Sequence, residues 1–202
     1  MAAEEVRAGL ASTAPDMRVA ILEAAARLFA DRGYSATSVR QVVEAAGCTK
    51  PTLYYYFRNK ERLFLEVIET SMQRLDELVS AQLRTRGTVR ERLARGLGAY
   101  LDHVQANPTV LRLLMTAERH PEQGQPFYDF DAFRQEHVDF MTGMLAEGVQ
   151  AGELRPGLPL EDTVLALFGI VDHRLVLFLH GRALPPDFGA RALDIFFHGV
   201  AA

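Results

Sequence analysis

Two short helical patterns separated by only about three residues constrain this chain more than any other feature. In the first, Ser38 and Gln41 stand at capping-box spacing, with Thr37 as an alternative cap. Val39, Val42, Val43 and Ala46 supply its apolar face, and Gly47 can stop it. The second opens at Thr49, a capping residue, with Pro51 in its first turn, where the N–H that proline lacks would be unpaired anyway. Within this stretch, TKPTLYYYF, Leu53 and Phe57 lie one turn apart and anchor it inward, while Tyr54 and Tyr55 project beside Lys50 and Thr52. A longer pattern precedes both: over residues 16–31, Ile21, Leu22, Ala25, Leu28 and Phe29 follow the helical period, and Gly33 can close the helix. A long helix, a short helix, a glycine turn and a second short helix make a helix-turn-helix order. The first two helices form an apolar platform that holds the third so that its exposed face can enter a major groove.

That exposed face is polar, aromatic and cationic. Lysine, hydroxyls and free N–H groups at a helix start all donate to phosphate oxygens, whereas the bland alternative is a solvated amphipathic turn. Charge distribution favours the first reading. The chain of 202 residues carries a net −4, yet over residues 16–60 seven Lys or Arg stand against four Asp or Glu, and from residue 61 onward fourteen stand against twenty. The only two lysines, Lys50 and Lys60, lie within or just after the short third helix. Asn59 can cap a fourth helix carrying Leu63, Phe64, Val67, Ile68, Leu75, Leu78 and Val79, whose start could itself donate to a phosphate.

The order and spacing of the first helix ending in LFADRGYSATSV, followed by VVEAAGCTKPTLYYYFRNKERLF, make residues 17–65 resemble the DNA-binding region of the TetR family of bacterial transcriptional repressors. The resemblance implies an all-α homodimer of about nine helices. A three-helix DNA-binding domain over residues 16–60 would be followed by a varied effector-binding and dimerisation domain over 61–202. It further implies that Thr37, Ser38 and Arg40 lie beside a phosphate or base edge. Thr49, Lys50, Pro51, Thr52 and Tyr54 would face the groove, with Tyr55 and Lys60 on the DNA backbone. Arg40 and Lys50 are the candidates for guanine contacts, and the Pro51 ring or Thr52 methyl for a thymine methyl. Tyr56 stands where the family often has His, and Cys48 where it often has a small aliphatic residue.

Beyond residue 83 the resemblance is architectural. The pattern predicts helices over about 89–105, 108–119, 127–150, 160–180 and 188–199, punctuated by Asn107-Pro108, the loop 120–126, Gly152 and Pro185-Pro186. Gly96-Leu97-Gly98 falls inside a helix and is no nucleotide loop. The eighth helix is apolar nearly all round, so one face can fill its own core while the other needs a second cover. A symmetric partner is expected to supply it, through Leu167, Val171, Leu175 and Phe178 with Leu193, Phe196 and Phe197 of the last helix. A pocket in this architecture would lie between the fifth and eighth helices, which nominates Tyr100, Val104, Met115, Phe133, His137, Phe140, Met141 and Phe168. Tyr100, His137 and Glu118 are the polar members able to orient an otherwise apolar ligand, against the simpler reading that all are ordinary core or surface residues.

One cysteine excludes an internal disulfide framework and a cysteine-rich zinc site. The six histidines include no pair at one-turn spacing, so no metal or other cofactor is expected. Neither a nucleophile elbow nor a phosphate loop is present, and no enzymatic activity is expected. Residues 1–15 read as a disordered leader without a signal-peptide run, and the longest apolar stretch, 164–179, is broken by Asp172, His173 and Arg174. A cytoplasmic location is therefore expected. The resulting expectation is a regulator, most simply a repressor, released from a pseudo-palindromic operator by a small-molecule effector. A soluble helical protein that sequesters an apolar ligand without reading DNA is the alternative.

Overall fold

The computed structural model describes residues 16–200; the expected leader over 1–15 lies outside them. Among the described residues there are helices and no strands: α1 (Met17–Ala36), α2 (Val39–Ala46), α3 (Lys50–Tyr56), α4 (Lys60–Leu83), α5 (Val89–Ala106), α6 (Pro108–Arg119), α7 (Phe130–Gln150), α8 (Leu160–Leu179) and α9 (Phe188–Val200). None of these is long and apolar enough to cross a membrane.

Side chains set the helix starts. Asp16 accepts from the Arg18 N–H at 3.0 Å, Asn59 from the Arg62 N–H at 2.7 Å, and Asp129 from the Ala132 N–H at 2.9 Å. Each satisfies a donor that the first turn leaves unpaired. The Asp129 cap moves the start of α7 three residues past the expected Phe127. Capping boxes close reciprocally at Ser38 with Gln41 and at Thr88 with Glu91. Gly33 has φ 82 and ψ 170, so the long first helix does stop there, and one further turn follows before α2.

The chain forms two compact units, and their division departs from the expected boundary at residue 60. The first comprises the described residues up to Ser71 together with Thr109–Tyr128; the second comprises Met72–Pro108 and the described residues from Asp129 onward. The reason lies in α4. Leu63, Phe64, Val67 and Ile68 are all buried and close the core begun by Ile21, Leu22, Ala25, Phe29, Val42, Val43, Leu53 and Phe57. A helix-turn-helix of this size has too little apolar surface to close on itself, so it borrows the first turns of the next helix. Three aromatic rings centre the unit: Phe64 meets Phe29 edge-on at 5.2 Å and Tyr34 at 5.1 Å.

In the second unit, the core draws Leu93, Leu101 and Val104 from α5 and Val138, Met141, Met144 and Leu145 from α7. Val164, Leu167, Val171 and Leu175 come from α8, and Ala192, Leu193, Phe196 and Phe197 from α9. The α8 residues are spaced by three and four, which is the inward stripe of a helix whose other faces are also apolar. Gly96 lies within α5, where an added Cβ would come within 2.5 Å of Leu83.

Candidate nucleic-acid interface

Burial of Leu53 and Phe57, both with no exposed surface, turns the opposite side of α3 outward. Thr49, Lys50, Pro51, Tyr54 and Tyr55 are exposed there, Tyr54 by 49% and Tyr55 by 82%. Thr49 caps the helix by accepting from the Thr52 N–H at 3.3 Å, and the two hydroxyls lie 2.8 Å apart. Tyr55 leans edge-on against Tyr56 at 5.0 Å, so two phenols stand side by side at the end of the helix. On α2, Ser38 is exposed at the cap, and the guanidinium of Arg40 lies in solvent with only Glu44, 2.8 Å away, as a tether. Eight of the ten nominated residues are thus exposed or half-exposed: Ser38, Arg40, Thr49, Lys50, Pro51, Thr52, Tyr54 and Tyr55.

Two differ. Thr37 is a correction: it is 1% exposed, and its hydroxyl donates to the Gly33 carbonyl at 2.7 Å and the Leu28 carbonyl at 3.1 Å. Because Ser38 takes the cap, Thr37 falls one position outside the helix, where its hydroxyl staples the turn from within. Lys60 is half-buried, its ammonium 4.1 Å over the Tyr34 ring. Burial lowers its pKa, against an opposing pull from the Glu122 carboxylate. Cys48, in the turn between α2 and α3, is half-buried, and burial pushes its thiol upward, which disfavours the reactive thiolate.

Glu122 is the residue that sequence reading missed. Its two carboxylate oxygens accept from the backbone N–H groups of Tyr34, at 3.0 Å, and Ser35, at 2.8 Å. These bonds, with the charge of Lys60, hold its pKa below the usual carboxylate value despite some desolvation. No local signal marks it, since its partners lie 87 and 88 residues away in a segment legible only as a Gly/Pro/Gln loop.

The effector candidates fare differently. Met115 belongs to the first unit and the other seven to the second. Val104 and Met141 are packed core residues. His137 is fully engaged, with Nδ1 2.8 Å from the Phe133 carbonyl and Nε2 2.9 Å from the Asp76 carboxylate, which also accepts from the Ser80 hydroxyl at 2.8 Å. The Phe133 ring lies tilted against His137 with centroids 4.4 Å apart, and Phe140 lies beneath the Arg84 guanidinium at 4.9 Å. Burial, with the Asp172 carboxylate second, pushes the Tyr100 phenol up to about 12, so it stays protonated and able to donate. Phe168 is half-buried on α8. A cleft of about 190 Å³ between α7 and α8 is lined by Asp131, Arg134, Gln135, Val138, Glu161 and Leu165. It is charged and smaller than most ligand sites, and contains none of the nominated residues.

The dimer candidates need correcting too. Leu167, Val171, Leu175, Leu193, Phe196 and Phe197 are buried within a single chain, and Phe178 is half-buried. Those six are already spent on the second unit's own core, whereas Phe178 keeps part of its surface outside. On α8 and α9 the large apolar residues left outside are Leu165, 44% exposed, and Ile195, 66% exposed, with Ala166 and Gly169 also exposed on α8.

A buried helical platform, two capped short helices and a cationic, aromatic outer face on the second of them define the class: an all-helical helix-turn-helix DNA-binding protein. Comparison with known proteins narrows it. The model of the bacterial regulatory proteins of the tetR family matches residues 21–67, and that of the tetracyclin repressor-like C-terminal domain matches residues 83–196. The chain belongs to the TetR family and is a DNA-binding transcriptional regulator.

Among its relatives is the fatty acid metabolism regulator protein of Bacillus subtilis (strain 168), 23% identical over 79% of this chain and 81% of that protein. The HTH-type transcriptional repressor KstR2 of Rhodococcus jostii (strain RHA1) is 27% identical over 71% of each. Of the solved structures, the transcriptional regulator FadR from Bacillus subtilis in complex with stearoyl-CoA superimposes with a TM-score of 0.73 at 21% identity, covering 90% of this chain and 98% of that one. This last likeness is one of fold.

Proposed function

We propose that the protein is a homodimeric repressor released from its operator by an effector with a long apolar body, an acyl-CoA being the first candidate. The relative named for fatty acid metabolism and the neighbour holding stearoyl-CoA support the effector class. The second unit suits such a ligand through its chemistry. Apart from His137, which is already bonded to Phe133 and Asp76, its nominated residues are apolar, aromatic or Met, and Tyr100 is a protonated donor among them. Core packing as tight as that at Val104 and Met141 requires these side chains to move when a chain enters. An effector that prefers the rearranged state over the DNA-bound one shifts occupancy by that difference in affinity.

Ser38, Arg40, Thr49, Lys50, Pro51, Thr52 and Tyr54 read the groove and its rim, and Tyr55 and Lys60 meet the backbone. The test uses a duplex that the full chain selects from a random-sequence pool, followed by fluorescence anisotropy. Stearoyl-CoA should release it while free coenzyme A should not. The Lys50→Ala/Tyr54→Ala variant should bind about 10–100-fold more weakly, with a salt slope shallower by about one. A duplex indifferent to stearoyl-CoA would remove the acyl-CoA reading; a variant binding like wild type would remove the assignment of α3.

The dimer forms through the outer stripe of α8 and α9, centred on Leu165 and Ile195, because these exposed apolar positions remain after the inner stripe has filled the core. Leu165→Glu/Ile195→Glu should sediment as a monomer with an unchanged helical circular dichroism spectrum. A dimer at micromolar concentration would place the interface elsewhere.

A further inference from the structure

The turn between α1 and α2 is fastened from two sides. From within, the Thr37 hydroxyl binds the carbonyls of Leu28 and Gly33. From outside, the Glu122 carboxylate takes the N–H groups of Tyr34 and Ser35, and the Ser35 hydroxyl donates to the Gln123 carbonyl at 3.2 Å. The loop bearing Glu122 is itself hydrogen-bonded to the helix before it. The Gln125 amide donates to the Ala117 carbonyl at 3.0 Å, and the Gln125 N–H to the Glu122 carbonyl at 3.0 Å, which pins the loop to the end of α6. Gly33 completes the fit, since a Cβ there would stand 1.7 Å from the Glu122 Oε1. Only one residue separates Thr37 from the first residue of α2, and it is the capping Ser38. All these groups belong to one compact unit, whose chain passes from Tyr128 directly to Asp129, the cap of α7.

We propose that Glu122 is a positioning residue for DNA reading: it ties the turn that leads into α2 to the loop after α6, so that this loop sets the orientation in which α2 and α3 meet the groove. The connection runs α6, loop, carboxylate, turn, cap, recognition surface, with a hydrogen bond or covalent link at every step. A carboxylate suits the task because two oxygens can accept from two successive N–H groups, and charge strengthens both bonds. Like any carboxylate it is ionised at neutral pH, and its lowered pKa extends that charge to more acid conditions. The stabilisation is present above the ordinary carboxylate range and lost only as pH falls through the lowered value. Lys60, over the Tyr34 ring, adds a favourable charge without being needed for the geometry.

The test compares the full-length wild type with Glu122→Gln and Glu122→Asp on the selected duplex across a salt series, with amide hydrogen exchange read residue by residue. Glu122→Gln leaves one uncharged acceptor for two donors. Its affinity should fall about tenfold with the salt slope unchanged, because no phosphate contact is lost. Exchange at Tyr34 and Ser35 should quicken while that at Leu53 stays slow, marking an intact fold. Glu122→Asp, which keeps the charge and both oxygens, should recover most of the affinity. Unchanged affinity in Glu122→Gln overturns the proposal. Tighter binding, or a steeper salt slope, overturns it as well, because the carboxylate would then be competing with a DNA phosphate instead of placing the turn.

Discussion

Replacing Phe64 with alanine is expected to lower the stability of the first unit by about 3–5 kcal/mol, the usual cost of emptying a fully buried aromatic site. The ring is 1% exposed and meets Phe29 at 5.2 Å and Tyr34 at 5.1 Å, so both apolar burial and two edge contacts disappear together. The effect should be local to the unit that reads DNA. Exchange at the buried amides of α1 and α3 measures it directly, whether or not the two units unfold together. DNA affinity should fall with it, because the seven residues of α3 cannot hold a helix without the platform beneath Leu53 and Phe57. A loss under about 1 kcal/mol would mean that the neighbouring rings collapse into the space and that α4 contributes less to this core than its burial indicates.

Gly33→Ala is expected to be nearly as damaging, for two separable reasons. A backbone at φ 82 and ψ 170 is a conformation that essentially only glycine adopts, and forcing an L side chain into it costs about 1–3 kcal/mol. The new methyl would also collide with the Glu122 carboxylate. Adding Glu122→Ala removes the collision and leaves the backbone strain. The double variant should therefore be more stable than the two single losses predict, a coupling that a double-mutant cycle on exchange-derived stabilities would measure. Strict additivity would show that the carboxylate moves aside at no cost, and would weaken the case for Glu122 as a fixed point of the turn.

Both variants act on features differing in how far the sequence announces them. Gly33 is legible as a helix stop, because position and residue type suffice. Its second role, making room for a carboxylate from residue 122, is invisible until the loop is folded against the turn. Phe64 reads as an apolar position on the fourth helix, but nothing local reveals that it closes the core of the first unit. Hence the expected boundary at residue 60 falls short of the structural one within α4.

The same division runs through the site. Capping chemistry and a glycine turn are short-range, so the order, ends and outward face of α2 and α3 could be read from the residues alone. Thr37 could not, since one position decides whether a hydroxyl faces DNA or staples its own turn. α8 is apolar nearly all round, so periodicity cannot distinguish the stripe that fills the chain's own core from the stripe left for a partner. Leu167, Val171 and Leu175 proved to be the former, with Leu165 outside.

What the sequence determined by itself was therefore the succession of helices, the helix-turn-helix and its donor-rich face, because each follows from interactions among residues a few positions apart. Only the tertiary structure decided which apolar stripe turns inward, that the start of α4, with α6 and the loop after it, completes the first unit, and that Glu122 fastens the turn before α2. Those outcomes depend on which distant surfaces meet, and the free energy of such meetings is carried by burial and by hydrogen bonds across dozens of residues, for which no local pattern stands as a sign.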